Sequence, residues 1–269
     1  LMIEKGITAI PVLDHRGRIT DILFWRDRQA GPKRKPFLGI PLVIMAGGKG
    51  ERLKPYTDIL PKPLIPVGDR TITEHIMERF KSYGCENVTM IVNYKKDFIK
   101  AYFNDHESNR NITFIEEQEY LGTGGGLKLL GNIMHGTFFM SNCDILIDAD
   151  YAEILKYHKE SGNIITLVGA KKRFEIPYGT IMTDKKGNVT KLQEKPGFAF
   201  SINTGLYLIE PDFLERIPDG TFIHITDVID DCIRRGDKVG SFLIEDECFM
   251  DMGQMDELEK MKRRLHIEA

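Results

Sequence analysis

The sequence is poor in the features that mark several large protein classes. Its four cysteines, Cys85, Cys143, Cys232 and Cys248, are scattered through 269 residues without a C-x-x-C pair. That excludes a dense disulfide framework and reads as reduced thiols in a cytoplasmic protein. No apolar run approaches the roughly 20 residues of a membrane helix, and the first residues show no signal-peptide pattern. Neither sign of charge dominates: 37 Lys+Arg against 40 Asp+Glu leaves a net charge of −3. A polybasic nucleic-acid or membrane binder is therefore not the default reading. There is no internal repeat and no low-complexity tract. What remains, at 42% hydrophobic and 29% charged residues, is the composition of a folded chain with a sizeable core. Leu1 is not a usual initiator, so the chain reads as a piece of a longer one.

Residues 1–30 differ in kind from the rest. Thr8–Leu13 and Ile19–Phe24 read as strands around the turn Asp14-His15-Arg16-Gly17. The basic, breaker-rich stretch Gly31-Pro32-Lys33-Arg34-Lys35-Pro36 follows, giving a linker over residues 31–40. A hairpin this small cannot stand alone. From residue 41 to 269 short apolar runs alternate with segments of helical period. The strands are Leu42–Met45, Val88–Val92, Ile112–Ile115, Phe138–Met140 and Ile164–Val168. The helices are Thr73–Tyr83, Asp97–Phe103, Gly126–Leu130 and Tyr151–Glu160. That alternation predicts an α/β domain around a mainly parallel sheet. After Ala170 the rhythm changes. Gly179–Thr183 and Val189–Gln193 form a predicted hairpin, Ser201–Ile209 and Val239–Leu243 predicted strands, and Asp227–Arg235 and Met255–Arg264 predicted helices.

The most informative stretch follows the first buried strand. Gly47-Gly48-Lys49-Gly50 lets the backbone turn tightly and aim its N–H groups at phosphate oxygens. Two familiar phosphate motifs fail here. A Walker loop needs Ser or Thr where Gly50 stands, and a dinucleotide fingerprint needs glycine where Leu53 stands. A plain tight turn would leave Arg52 and the run Pro61-Lys62-Pro63 without a purpose. The whole stretch, Gly47-Gly48-Lys49-Gly50-Glu51-Arg52-Leu53-Lys54-Pro55-Tyr56-Thr57 and then Pro61-Lys62-Pro63-Leu64-Ile65-Pro66-Val67, resembles the signature of the sugar-phosphate nucleotidyltransferases at every specified position.

The resemblance implies a Rossmann-like three-layer α/β/α domain with a mixed, mainly parallel central sheet. It implies a reaction in which a sugar 1-phosphate attacks the α-phosphate of an NTP and pyrophosphate leaves. Arg52 would hold the pyrophosphate and Lys62 the α-phosphate. One cation about 4 Å from a phosphate oxygen contributes about 4 kcal/mol at an effective dielectric near 20, so a few local cations outweigh a screened net charge of −3.

The family's metal-binding aspartates match Asp144, in Asn142-Cys143-Asp144, and Asp251, in Phe249-Met250-Asp251-Met252-Gly253. Mg²⁺ is the implied cofactor, because it takes carboxylate and phosphate oxygens. Cys143, Phe249 and Gln254 depart from the family's usual glycine, tryptophan and threonine. Asp148 and Asp150 read as the start of the helix at Tyr151. The nucleotide side would comprise Gly47, Gly48, Gly50, Gln118, Gly122 and Thr123, with the Gln118 amide facing the base. Tyr178, Gly179, Glu194, Lys195, Asn203 and Thr204 match the sugar-phosphate segments in order.

Residues 6–27 resemble the end of a CBS domain, with Phe24 at the position where a hydroxyl residue contacts ribose. The resemblance thus implies a remnant of a regulatory module over residues 1–30 and a catalytic domain over 41–269, with no nucleic-acid or membrane partner. GTP is the favoured donor, for activated sugars of surface polysaccharides or nonulosonic acids. A paired CBS module would favour a homo-oligomer. The rival reading is a catalytically silent paralogue that binds nucleotide sugar as a sensor.

Overall fold

The computed structural model describes residues 9–13, 18–24, 35–105, 111–253, 257–259 and 261. By its contacts the chain divides into two compact units, Leu1–Pro36 and Phe37–Ala269. In the first, β1 (Ala9–Leu13) and β2 (Ile19–Phe24) pair antiparallel with Ala9 opposite Phe24 and an irregularity between Val12 and Leu13. The turn at 14–17 and the linker residues 31–34 lie outside the described residues.

In the second unit the strands are β3 (Leu42–Ala46), β4 (Pro66–Val67), β5 (Arg70–Thr71), β6 (Val88–Val92), β7 (Ile112–Glu116), β8 (Phe138–Asn142) and β9 (Ile145–Ile147), then β10 (Ile165–Glu175), β11 (Thr180–Thr183), β12 (Val189–Gln193), β13 (Gly197–Ile209), β14 (Val239–Glu245) and β15 (Phe249–Asp251). Helices α1 (Tyr56–Ile59), α2 (Ile72–Lys81), α3 (Lys96–Asn104), α4 (Gly122–Gly125), α5 (Tyr151–Ser161) and α6 (Ile225–Arg235) lie between them.

Seven strands make the central sheet, in the order β14-β10-β13-β8-β3-β6-β7. β13 runs antiparallel to both its neighbours, while the other pairings are parallel. The sheet is therefore mixed and mostly parallel. The runs LVIMA of β3 and VTMIV of β6 are buried at all five positions, as strands covered on both faces must be. Successive residues of β3 feed two cores. Leu42, Ile44 and Ala46 pack with Phe80, Phe139 and Tyr151; Val43 and Met45 pack with Phe138, Phe213 and Ile229. Helices α2, α3 and α5 supply the first core and α6 the second, which gives three layers.

Local chemistry sets the helix starts. Thr71 and Glu74 form a reciprocal capping box at α2, with Thr71 N donating to Glu74 Oε2 at 2.7 Å; such a cap is worth about 1 kcal/mol. Asp150 caps α5 through Ala152 N at 2.9 Å, whereas Asp148 pairs with Arg79 on α2. The expected helix at 126–130 is a 3₁₀ turn that continues α4.

β10 and β13 outrun the core. Their pairing shifts register at Val168/Gly169 against Leu206/Asn203 and then continues to Glu175 opposite Gly197. With the β11–β12 hairpin this forms an exposed arm. Of the closing helix expected at 255–264, residues 257–259 and 261 are described and are helical. Among the described residues no helix is long and apolar enough to cross a membrane.

Candidate active site

The C-terminal ends of β3, β6, β7 and β8 lie along one edge of the sheet, where ligands gather in open α/β folds. β3 delivers the glycine-rich loop there, and its three glycines answer to different constraints. A Cβ on Gly47 would sit 2.5 Å from Glu117 Oε2, while one on Gly48 would meet nothing within 4 Å. Gly47 is thus needed for packing, and Gly48 faces open space. Gly50 has φ 68°, and a Cβ there would lie 2.8 Å from Thr57 Cγ2. Its carbonyl accepts the Thr57 hydroxyl at 3.0 Å. This left-handed turn precedes the 3₁₀ turn Glu51–Leu53 that carries Arg52.

Lys62 follows α1 and begins the 3₁₀ turn Lys62–Leu64, with Pro61 and Pro63 on either side. It forms an ion pair with Asp144, and both side chains are largely buried, at 14% and 9% exposure. Burial pulls the ammonium pKa down. The charge of Asp144 and its hydrogen bond outweigh that and leave Lys62 above its ordinary value. Cys143 is buried beside them, and desolvation pushes its thiol up to about 12. It is a neutral packing group.

A two-stranded ribbon brings the second aspartate in. β15 pairs with β9 so that Asp251 stands opposite Ile145, and Met252 N donates to Asp144 O at 2.9 Å. Asp251 Oδ1 accepts Gly253 N at 2.7 Å. Burial, then the charge of Asp144, raises the Asp251 carboxyl above its ordinary value.

Two adjoining clefts result. One, of about 430 Å³, is lined by Gly47, Gly48, Gly50, Arg52, Lys62, Asn93 and Tyr120. The other, of about 340 Å³, is lined by Arg52, Thr123, Asn142, Asp144, Asn203, Thr204, Tyr207, His224 and Asp251. Arg52 borders both. A separate groove of about 310 Å³ beside α2, lined by Arg70, Glu74, Cys85 and others, contains none of the candidate residues.

The base segment is held tightly. Gly122 has φ 77°, and a Cβ there would lie 2.6 Å from Ile223 O; one on Gly125 would lie 2.4 Å from Thr221 O. Gly124 N and Gly125 N both donate to Ile223 O, at 2.9 and 3.2 Å. The row of glycines thus serves close backbone packing on 221–224. Thr123 Oγ1 accepts Ile225 N at 3.2 Å at the start of α6. Gln118 is exposed and lines neither cleft. Its neighbour Glu117 is the buried one, 2% exposed. Glu117 Oε1 accepts Leu121 N at 3.2 Å, Oε2 has no partner, and burial raises its pKa.

The sugar-side residues divide. Asn203 and Thr204 reach the second cleft, but the Thr204 hydroxyl donates to Val168 O at 2.6 Å and so staples the bulge. Asn203 Nδ2 donates to Tyr207 Oη at 2.6 Å. Tyr178, Gly179, Glu194 and Lys195 lie on the exposed arm and line neither cleft. Glu194 does sit beside Gly179, its Oε2 being 2.9 Å from where a Cβ would stand. Lys195 adopts φ 42°.

Sequence reasoning missed Asn93, Glu117, Tyr120 and His224. The tendency of ligands to gather at strand ends points to Asn93 after β6 and Glu117 after β7. No local signal marks Tyr120 or His224, which reach the clefts through loop packing.

A glycine loop, the cations of Arg52 and Lys62, Asp144 just past β8 and Asp251 on the antiparallel β9–β15 ribbon thus meet at the strand ends of an α/β sheet. The chain belongs to the nucleotidyl transferase family, whose model matches residues 42–267. It is 32% identical over 197 residues to a UTP–glucose-1-phosphate uridylyltransferase of Synechocystis, covering 66% of this chain and 51% of that protein. It is 30% identical over 190 residues to a mannose-1-phosphate guanylyltransferase of Mycobacterium tuberculosis, covering 69% and 53%. The chain therefore spans about half the length of these relatives. Among solved structures, HddC from Yersinia pseudotuberculosis shares the fold with a TM-score of 0.67 and 24% identity, covering 84% of this chain and 99% of that one.

The family generally uses a divalent metal. Two neighbouring carboxylates are a hard-oxygen donor set. Among the described residues no group of three or more His, Cys, Asp or Glu side chains is arranged around a common point.

Proposed function

We propose that this chain transfers a nucleotidyl group from an NTP to a sugar 1-phosphate, releasing pyrophosphate, through in-line attack at the α-phosphate. The observation that supports this reading best is the convergence of Arg52, Lys62, Asp144 and Asp251 on two clefts with a common wall. Gly48 offers bare backbone to the phosphates, and Arg52 neutralises the departing pyrophosphate. Lys62, held by Asp144, places a fixed positive charge where negative charge grows at the α-phosphate. Asp144 and Asp251 are the residues that would hold Mg²⁺. When bound, the ion screens the two anions from one another and polarises the attacked phosphate.

GTP is the favoured donor, in line with the guanylyltransferase relative and with a structure of HddC complexed with GMP-PN. The product would be an activated sugar for surface glycans, made in the cytoplasm. The β1–β2 hairpin is the remnant of a regulatory CBS module. A panel of four NTPs against mannose, glucose and N-acetylglucosamine 1-phosphates, followed by pyrophosphate release with Mg²⁺, tests the reading. Turnover with GTP above the other three is the expected result. Tight nucleotide-sugar binding without turnover for any pair would instead make the chain a sensor.

A further inference from the structure

Among the described residues two side-chain-bearing positions have a left-handed backbone, Lys195 and Lys95, the latter at φ 51°. Lys95 lies just past β6, at the start of α3. L-residues rarely adopt this conformation, and where they do, the surroundings over-determine it. Here the surroundings are three backbone carbonyls. Lys95 Nζ donates to Thr57 O at 3.3 Å, Asp58 O at 2.7 Å and Ile59 O at 2.9 Å. An ammonium has three N–H donors, so all three are committed and none is left for a phosphate.

The carbonyls belong to α1, a single turn of four residues that has no stability of its own. α1 lies in the chain between the two cations of the site. On its N-terminal side Thr57 Oγ1 locks the Gly50 turn that leads into Arg52. On its C-terminal side Leu60 and Pro61 lead directly into Lys62. The same stretch after β6 also grips the rest of the rim: Tyr94 N donates to Gly47 O at 3.4 Å, and Asn93 Nδ2 donates to Glu117 O at 3.1 Å. A cation at the carbonyl end of a helical turn is favoured electrostatically as well as by hydrogen bonding.

We propose that Lys95 is a positioning residue, which fixes the Arg52 and Lys62 loops relative to one another by capping the turn between them. This rests on the nucleotidyltransferase reading above. The role is separate from phosphate binding: Lys95 acts on the chain that carries the cations.

The test compares Lys95→Met, which keeps the aliphatic stem, with Lys95→Gly, which keeps the left-handed backbone, and with Lys95→Arg. Each is followed by steady-state pyrophosphate release and by amide hydrogen exchange. Both donor-less variants should lose at least tenfold in kcat with the KM for sugar 1-phosphate within twofold. Exchange should accelerate across 54–62 and stay unchanged in β3 and β6, and Lys95→Arg should recover most of the rate. If Lys95→Met fails to fold, Lys95→Gly decides. Wild-type kcat in Lys95→Gly overturns the proposal. So does a rise in the KM for NTP alone without faster exchange at 54–62, which would make Lys95 a phosphate ligand. An inactive wild-type protein would refute the reaction, but the exchange result would still decide the role of Lys95: no acceleration at 54–62 overturns it.

Discussion

The two sides of the proposed site are built on different terms. On the proposed phosphate side Gly50 is fixed by Thr57, Lys62 by Asp144, and Asp251 by Gly253. On the proposed sugar side the arm from Lys171 to Ser201, which lines neither cleft, is exposed along nearly its whole length, including Tyr178 at 73% and Leu192 at 70%. The contrast has a chemical reason. Stabilising charge at a reacting phosphate requires dipoles and charges already in place, because reorganising them during the reaction would cost what they contribute. Recognising a sugar's hydroxyls tolerates a surface that settles around the ligand.

Substitutions on the two sides should therefore fail in different ways. The largest effect is expected at Asp144→Asn. Pyrophosphate release should fall on the order of a thousandfold, while far-UV circular dichroism shows the sheet retained. Full turnover by that folded variant would remove Asp144 from the site. On the arm, Lys195→Gly keeps the positive φ and removes the ammonium. It should raise the KM for sugar 1-phosphate about tenfold, a loss of about 1.4 kcal/mol, and leave the KM for NTP within twofold. A fall in kcat with unchanged KM would erase the distinction between the sides.

The rigidity of the phosphate side can be probed through Glu117, whose buried carboxyl is raised above 4.5. The native state keeps this proton longer than the unfolded chain does. Its contribution is therefore undiminished at low pH and is lost as pH rises from about 4.5 through the raised value. Glu117→Gln should remove that slope and raise Tm near pH 8 by about 2–4 °C. A pH–stability curve parallel to wild type would mean the carboxyl is solvated. The smallest effect is expected at Leu192→Ser on the exposed hairpin. Stability should change by about 0.5 kcal/mol or less in a denaturant titration. A larger loss would mean that this arm is packed against something in solution.

Sequence periodicity located the sheet because its signals are local. Buried runs such as Leu42–Ala46 and Val88–Val92 need no partner to be recognised. The arm was harder to read. The expected strand Ile164–Val168 stops two residues short of the end of burial at Ala170, and the observed strand continues to Glu175 because β13 pairs with it beyond the core. The base segment shows the same limit at closer range. Gln118 and Glu117 are adjacent and chemically alike in sequence, and only the packing of Glu117 against Gly47 and Gly126 decides which one turns inward.

The amino-acid sequence alone determined the α/β class, the glycine loop, and Arg52, Lys62 and Asp144 as candidates. The class follows from periodicity, and the candidates from short contiguous stretches that resemble the family's motifs. Tertiary structure decided what lies far apart in the chain: that β13 runs against its neighbours, that a ribbon sets Asp251 beside Asp144, and that Lys95 holds the turn between two cations. Hydrogen-bond registers and ion pairs between distant segments leave no periodic trace in the sequence, because each is satisfied by whichever surface the fold brings opposite.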